Sequence, residues 1–184
     1  MASINGIRLR AIKNTREGIR ANLYIDTRKV ASISQDNYNM KIECKLEDGV
    51  ELEELEVEVA KRIKGYLMRE RAKAEDIRFT RDIVRYSKGM ALLSKMEHGV
   101  KMDRSVMDYV LEIVLEIGRT ESEFKKYTKK GYKTIVTAEK EDGEFIAMAS
   151  CRDSLEIKKD YLAQGFDKVE IYRSVEEFEI VTTE

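Results

Sequence analysis

Apolar and polar residues alternate along the N-terminal part of the chain. The side chains of a β-strand point to opposite faces in turn, so a period of two predicts strands with one buried face. Val30 to Ile33 adds a short apolar run between turn residues. Together these segments predict a four-stranded antiparallel meander. The alternating apolar positions are Ile7, Leu9, Ala11, Ala21, Leu23, Ile25, Met40, Ile42 and Cys44.

Helical spacing replaces the alternation after Gly49. Asp48 and Glu51 stand three positions apart, which is the spacing of a capping box, so Asp48 is predicted to cap the first helix. The acidic first turns and basic last turns of this segment also suit the helix macrodipole. Apolar residues then recur every three or four positions, at Leu52, Leu55, Val59, Ile63, Tyr66 and Leu67.

Two more helices are predicted in the middle of the chain. The first covers about 77–97, with an interruption expected at Gly89, and the second covers 103–117, with a stop at Gly118. A capping box that begins at Thr120 then predicts a separate short helix. The helix at 103–117 is apolar nearly all round, which is typical of a helix that is buried or that forms an interface. It therefore also offers a surface for a homodimer.

The C-terminal part repeats one pattern of elements. In each copy a short helix leads to a glycine, an aromatic residue and a strand, with Gly131-Tyr132 in the first copy and Gly165-Phe166 in the second. Glu141-Asp142-Gly143 predicts a hairpin turn after the first of these strands, and 178–181 a final edge strand. The predicted order is α-β-β-α-β.

Strands at both ends of the chain and helices between them indicate the α+β class. The predicted architecture is an N-terminal antiparallel β-meander plus helix, a central helical segment and a C-terminal α-β-β-α-β unit. The corresponding domain division is 1–73, 74–118 and 119–184. The pattern leaves open whether the two groups of strands form one sheet or two.

Composition limits the setting in which the protein works. The chain has 184 residues and a net charge of -1, so attraction to nucleic acid has to come from a local patch. It has no long apolar run and no signal-peptide pattern at its N-terminus, so we expect a cytoplasmic protein without membrane contact. Cys44 and Cys151 are expected to be free thiols in the core.

Basic residues are concentrated in the middle of the chain, directly after an acidic run from Glu47 to Glu58. Four basic residues recur with the spacing of one helix face and form a basic stripe: Arg78, Arg81, Arg85 and Lys88. A solvated helix face would account for this stripe. The alternative is contact with DNA or RNA phosphates, or with an acidic protein surface. The candidate binding residues are Arg69, Arg71, Lys73, Arg78, Arg81, Arg85 and Lys88, with Arg8 and Arg10 from a second basic group at the N-terminus.

The sequence contains no pattern typical of a catalytic, metal or cofactor site. His98 is the only histidine and has no cysteine at ligand spacing, so we interpret it as a helix-end or loop residue. No glycine-rich phosphate loop is present. We therefore expect a non-enzymatic protein with no cofactor and no metal. A metal-dependent nuclease, whose ligands are scattered along the sequence, stays open as an alternative.

Two parts of the chain resemble small uncharacterised proteins from phages and mobile elements of Gram-positive bacteria. The first resemblance covers Asn5–Gly18, Ala21–Asp26 and Lys29–Ala31, and the second covers Lys129–Val136. The middle of the chain, 74–118, has no counterpart and is interpreted as an insertion. The resemblance brings no catalytic residues with it.

The resemblance implies a bacterial host cell and a role against host defence. In size and general character the chain is similar to some type II anti-CRISPR proteins. The leading hypothesis is a non-enzymatic inhibitor that binds a bacterial defence protein, a type II CRISPR nuclease with its guide RNA. Either the basic stripe holds DNA or guide RNA, or an acidic segment, Glu47–Glu58 or the C-terminal end, occupies a DNA channel of the nuclease. The alternative is a nucleic-acid-binding accessory protein that uses the basic stripe.

Overall fold

The chain forms two β-sheets with helices packed against them, and the α+β prediction is confirmed. The computed structural model describes residues 2–36, 41–73, 80–140, 145–150 and 154–182. The strands are β1 (Ser3–Ile4), β2 (Ile7–Asn14), β3 (Gly18–Ile25), β4 (Arg28–Asp36), β5 (Ile42–Leu46), β6 (Thr134–Glu139), β7 (Phe145–Ser150), β8 (Lys168–Tyr172) and β9 (Glu179–Ile180). The helices are α1 (Leu52–Ala72), α2 (Thr80–Glu97), α3 (Ser105–Thr128) and α4 (Ser154–Ala163), and a 3-10 turn covers Val175–Phe178.

Strands β2 to β5 pair in sequence order and antiparallel, which confirms the predicted meander. Strand β5 begins at Ile42, and Met40, the predicted start, lies outside the described residues. The predicted edge strand, β9, joins this first sheet by pairing parallel to β1. Strands β6, β7 and β8 form a separate antiparallel sheet with the order β7-β6-β8, so the described strands form two sheets.

The main core lies between the first sheet and the helices α1, α2 and α3. The apolar residues that alternate along β2, β3 and β4 face these helices, and the apolar stripe of α1 faces the sheet. The first half of α3, which was predicted to be buried or at an interface, is buried inside the monomer. None of the described helices combines the length and the apolar character needed to cross a membrane.

The predicted capping box at the start of α1 is wrong. The N-cap of α1 is Glu51, and its side chain forms no cap hydrogen bond. Asp48 and Gly49 instead belong to a tight turn in which the Val50 amide donates to the Glu47 carbonyl at 3.2 Å. Gly49 has a φ of 75°, a left-handed conformation that favours glycine, so the turn delays the start of the helix.

The expected break at Gly118 is also wrong, because α3 continues to Thr128. A Cβ atom at Gly118 would lie 2.8 Å from Cδ1 of Ile12 on β2, so the glycine lets the helix approach the sheet. Thr120 does not begin a new helix, since its hydroxyl donates to the Glu116 carbonyl one turn earlier at 3.1 Å. The proposed segment boundary at residue 118 therefore falls inside one continuous helix.

Helix α2 is not interrupted at Gly89 either. A Cβ atom there would lie 2.7 Å from the hydroxyl oxygen of Tyr109 and 3.0 Å from Cδ2 of Leu67. The glycine thus allows α2 to pack closely against α3 and α1. Of the helix predicted at 77–97, the first three residues lie outside the described ranges and the rest is helical.

The two repeated C-terminal segments end their helices in the same way. Gly131 and Gly165 follow α3 and α4 with left-handed φ values of 90° and 83°. The amides of Tyr132 and Phe166 donate to the carbonyls five residues earlier, at 3.2 and 3.1 Å. Each ring also packs edge to face against the tyrosine five residues earlier. These are Schellman caps, and they confirm the predicted left-handed cap at Gly131.

A small apolar cluster joins the two sheets. Phe178 is 1% exposed, and its ring stacks on Tyr172 of β8 with the ring centroids 4.8 Å apart. It also contacts Phe124 of α3, at a centroid distance of 5.7 Å. Ala2, just before β1, and Ile135 of β6 complete the buried cluster. Burial of Phe178 therefore depends on both sheets and on α3.

Candidate functional site

The basic residues that were predicted to bind a partner lie at three separate places in the fold. Arg69, Arg71 and Lys73 lie at the C-terminal end of α1, where all three are exposed. Arg71 forms an ion pair with Glu97 of α2 at 2.8 Å. An exposed pair of this kind contributes only about 0–1 kcal/mol, so it would not prevent Arg71 from contacting an anionic ligand.

The described part of the basic stripe, Arg85 and Lys88 on α2, faces α3. Arg85 forms an ion pair with Glu116, and Nζ of Lys88 lies 2.9 Å from Oε1 of Glu112. Burial opposes the charge on Arg85, but the Glu116 carboxylate outweighs burial, so the pKa of Arg85 is raised. Arg78 lies outside the described residues, and so does the side chain of Arg81. The two stripe cations whose side chains are described therefore balance carboxylates of α3.

Arg8 and Arg10 lie on the outer face of the first sheet, opposite the core. Residues that are paired directly across antiparallel strands project from the same face, so the register defines rows of side chains across the sheet. The rows are Arg8–Tyr24–Lys29, Arg10–Asn22–Ser32–Lys45 and Lys13–Arg20–Ser34–Glu43. These residues, which we call the cationic face, comprise six cations and one carboxylate with four uncharged residues.

A β-bulge makes this arrangement possible. Arg10 and Lys13 are three residues apart, so in a regular strand they would point to opposite faces. The pairing of β2 with β3 shifts between these two residues, and Ala11 adopts a left-handed conformation with a φ of 54°. The extra residue resets the alternation. As a result, Ile12 packs against the core and Lys13 is exposed on the cationic face.

Two cations at the edges of the cationic face have carboxylate partners. Nζ of Lys29 lies 2.7 Å from Glu47, and Nη2 of Arg20 lies 3.4 Å from Glu17. Within the part of the chain that the structure describes, no carboxylate forms an ion pair with the remaining four cations of the face, Arg8, Arg10, Lys13 and Lys45. The face therefore keeps an excess of positive charge.

A shallow depression of about 870 Å³ lies over part of the cationic face. Small polar side chains from β3 and β4, those of Asn22, Ser32 and Ser34, form part of its lining. A concave surface with an excess of positive charge favours an anionic ligand. The charged residues of the lining are five cations and one carboxylate: Lys13, Arg20, Lys41, Lys45, Arg104 and Glu43.

Tyr24 is the aromatic residue of the cationic face. Cζ of the Arg10 guanidinium lies 4.7 Å from the centre of its ring. A cation over an aromatic ring at an exposed site gains about 0.5–1 kcal/mol, so this pair holds both side chains in place. Guanidinium and aromatic planes are the surfaces on which proteins stack unpaired nucleobases.

Sequence reasoning found Arg8 and Arg10 but missed Lys45 and Tyr24 as members of the same surface. The signal for Lys45 was present in the alternation of β5, because Ile42 and its apolar neighbours pack against the core and leave Lys45 on the outer side. What the alternation did not show was the register, which places Lys45 in one row with Arg10.

The helices α2 and α3 and the second sheet enclose a cleft of about 840 Å³. Arg85 and Lys88 lie on its helical wall, together with their carboxylate partners on α3. This half of the predicted stripe therefore lines the cleft. Apolar residues from the helices and the second sheet form much of the remaining lining: Val84, Leu115, Ile135, Ala147 and Tyr172.

Two of the candidates for catalysis and metal binding, Cys44 and His98, lie within the described residues. Cys44 is half-buried on β5, and burial raises the pKa of its thiol, which keeps the thiol protonated and weakly nucleophilic. Cys151 lies outside the described residues. His98 is exposed just after α2, with Nδ1 2.8 Å from the Ser94 carbonyl oxygen, so it lies at a helix end as expected. Among the described side chains, no group of three or more His, Cys, Asp and Glu residues is arranged to hold a metal ion.

No family model, curated protein or solved structure matches this chain. Its function is therefore inferred from the geometry and charge of its own surfaces, in particular from the cationic face.

Proposed function

We propose that the protein binds nucleic acid through the cationic face, and single strands in preference to duplexes. The observation that carries the proposal is the register of the first sheet, which gathers six cations and one carboxylate on one surface. The chain as a whole has a net charge of -1, so a local excess of this size is a feature of this face and not of the composition. A surface with this many cations matches the repeated phosphate groups of a nucleic-acid backbone.

Phosphate contacts would supply most of the affinity. Each phosphate of a single strand that the protein neutralises releases counterions. This makes the slope of the logarithm of the binding constant against the logarithm of the salt concentration more negative by about 0.7. Arg8, Arg10, Lys13 and Lys45 form no ion pair within the described residues, so they contact phosphates without losing a partner carboxylate. Four such contacts give a slope of about -3.

The stacked Arg10 and Tyr24 side chains would supply the preference for single strands. A base can stack on such a plane only when it is not stacked on its neighbours in the strand. The bases of a duplex stay stacked on their neighbours, so they do not reach these side chains. Stacking on an aromatic side chain contributes about 1–3 kcal/mol per base. Tyr24 therefore affects single strands, whereas the surrounding cations affect both kinds of nucleic acid.

The test measures the fluorescence anisotropy of a labelled single strand, and of the corresponding duplex, over a series of salt concentrations. We expect Arg10→Glu with Lys45→Glu to weaken binding of both by about 100-fold, because the double variant reverses two phosphate contacts. Tyr24→Ala should weaken binding of the single strand by about tenfold and leave duplex binding unchanged. Lys158→Glu with Lys159→Glu, on the exposed side of α4, makes the same change in net charge and is the matched control.

Three results would contradict the proposal. The first is binding that does not depend on salt, and the second is an equal loss in the control variant. The third is a loss that appears in Arg69→Glu with Lys73→Glu but not in the cationic-face variant, which would move the binding surface to the end of α1. Equal affinity for the single strand and the duplex would contradict the preference for single strands but not nucleic-acid binding by the cationic face.

Inhibition of a type II CRISPR nuclease, which the resemblance implies, remains a prediction. A nucleic-acid-binding face would support it if the protein held guide RNA or target DNA beside the nuclease. The test is DNA cleavage by a guide-loaded nuclease with a molar excess of this protein. Cleavage that is lost with the unaltered protein and restored with Arg10→Glu and Lys45→Glu would support both hypotheses together. Unchanged cleavage across several nucleases would favour the nucleic-acid-binding accessory protein.

A further inference from the structure

The cleft between α2, α3 and the second sheet is a second site, separate from the cationic face. No residue of the cationic face lines it. Its volume of about 840 Å³ lies within the range of sites for small organic molecules. Its apolar lining includes Leu115, Ile135 and Tyr172, and the Tyr172 ring is held in place by stacking on Phe178. The apolar surface is therefore preorganised.

Most charged side chains of the cleft already have a partner of opposite sign. The carboxylates of its helical wall are each held by a cation, and Glu139 lies directly opposite Lys168 in the pairing of β6 with β8. A ligand would therefore gain little by approaching these groups, since it would have to replace an existing ion pair. The pairs are Arg85–Glu116, Lys88–Glu112, Lys126–Glu123, Lys168–Asp82 and Lys168–Glu170.

Arg119 is the exception among the cations of the cleft. Its Nη2 donates to the neutral amide oxygen Oε1 of Gln35 at 2.9 Å. Within the described residues no carboxylate forms an ion pair with it, although the side chain is half-buried. A half-buried guanidinium that forms no ion pair with a carboxylate favours an anionic ligand group that accepts two parallel hydrogen bonds. Leu115 lies one turn earlier on α3, so this charge adjoins the apolar lining.

We propose that the cleft binds a small amphipathic anion. Arg119 holds its carboxylate or sulfonate group, and Leu115, Ile135 and Tyr172 pack against its apolar body. The proposal requires a ligand with both parts, because the Arg119 guanidinium forms no ion pair within the described residues and lies beside apolar surface. It does not depend on nucleic-acid binding, since the two sites share no residue.

The test uses two fluorescent probes that differ in their charged group. The first is 8-anilinonaphthalene-1-sulfonate, and the second is N-phenyl-1-naphthylamine, which has the same ring system without the sulfonate. Each is titrated into the full chain, and fluorescence gives the dissociation constant and the stoichiometry. We expect one sulfonate probe per chain, bound more tightly than the uncharged probe.

Two variants separate the roles of charge and apolar surface. Arg119→Gln should weaken the sulfonate probe by about tenfold, because it removes a charged donor, and leave the uncharged probe unchanged. Ala147→Phe should weaken both probes, because the larger side chain occupies the cleft. Arg119→Lys keeps the charge without the fork of donors, so its affinity for the sulfonate probe should lie between those of Arg119→Gln and the unaltered protein.

Leu155→Ser is the control for binding to an exposed apolar residue, because Leu155 on α4 is 66% exposed and lies outside the cleft. It should change neither titration. The proposal is overturned if the sulfonate probe binds equally well to Arg119→Gln and to the unaltered protein, or if Ala147→Phe has no effect. It is also overturned if Leu155→Ser abolishes binding. Circular dichroism of each variant shows that the fold is retained, and Arg119→Lys decides the outcome if Arg119→Gln does not fold.

Discussion

Arg62 joins parts of the fold that are distant in sequence. From α1, its guanidinium donates to both carboxylate oxygens of Asp26, at 3.1 and 2.7 Å, and to the Asn5 carbonyl at 2.9 Å. We expect Arg62→Gln to lower the free energy of unfolding in urea at neutral pH by about 2 kcal/mol, because hydrogen bonds from charged groups contribute about 1.5–3 kcal/mol. Arg28→Gln is the matched control. Arg28 pairs with Glu58 at 2.8 Å, but its side chain is 59% exposed whereas that of Arg62 is 26% exposed, so the loss should stay below about 1 kcal/mol.

The same contact makes the effect of Arg62→Gln depend on pH. The hydrogen bond from Arg62 lowers the pKa of Asp26 below its ordinary value. A carboxyl group with a lowered pKa stabilises the fold above its unfolded pKa of about 4, and this contribution is lost as the pH falls through the folded pKa. The stability difference between the unaltered protein and Arg62→Gln should therefore narrow below about pH 4. Since Asp26 is mostly exposed, the narrowing should be less than about 1 kcal/mol. When Asp26→Asn is present in both proteins, the narrowing of the stability difference should be absent.

At the scale of elements, the pairing of β3 with β4 supports the cationic face. Gly18 begins β3, and a Cβ atom there would lie 1.8 Å from the backbone carbonyl oxygen of Gln35 on β4. The backbone cannot move aside as a flexible side chain can. We therefore expect Gly18→Ala to lower the free energy of unfolding by more than about 2 kcal/mol and to weaken nucleic-acid binding.

Gly49→Ala separates the effect of this close approach from the effect of backbone conformation. Gly49 also has a positive φ, of 75°, but apart from Gly49 and its two neighbours in the chain no residue has an atom within 4 Å of a Cβ built on it. Its replacement should cost only the conformational strain, about 1 kcal/mol, and leave nucleic-acid binding unchanged. Equal losses of stability in the two variants, measured by urea unfolding, would show that the contact with Gln35 is unimportant.

Sequence and structure agree where a prediction depends on residues close together in the chain. The alternation in β2 to β4 and the apolar stripe of α1 are local patterns, and both led to correct elements. Gly118 shows the limit of this reasoning. Glycine weakens a helix locally by about 1 kcal/mol, but the contact of α3 with Ile12 on β2 overrides that preference. The cationic face shows the same limit, because its rows depend on a bulge at Ala11 and on the register of four strands.

At the scale of the whole molecule, the Phe178 cluster decides whether the two sheets unfold together. Phe178 is buried against Tyr172 of the second sheet and against Phe124 of α3, which also packs on the first sheet. We expect Phe178→Ala to lower the free energy of unfolding by about 3–5 kcal/mol, because it leaves a cavity in the contact between the sheets. Leu162→Ala is the control, since Leu162 is 45% exposed on α4 and its loss should cost less than about 1 kcal/mol.

Hydrogen exchange distinguishes a cooperative fold from two independent sheets. If the Phe178 cluster couples the sheets, Phe178→Ala should lower the protection of the Leu23 amide in β3 and of the Thr137 amide in β6 by the same free energy. If only the Thr137 amide loses protection, the sheets are separate folding units. The outcome also bears on the two proposed sites. In a cooperative fold, a ligand in the cleft stabilises the sheet that carries the cationic face by mass action, even though the two sites share no residue.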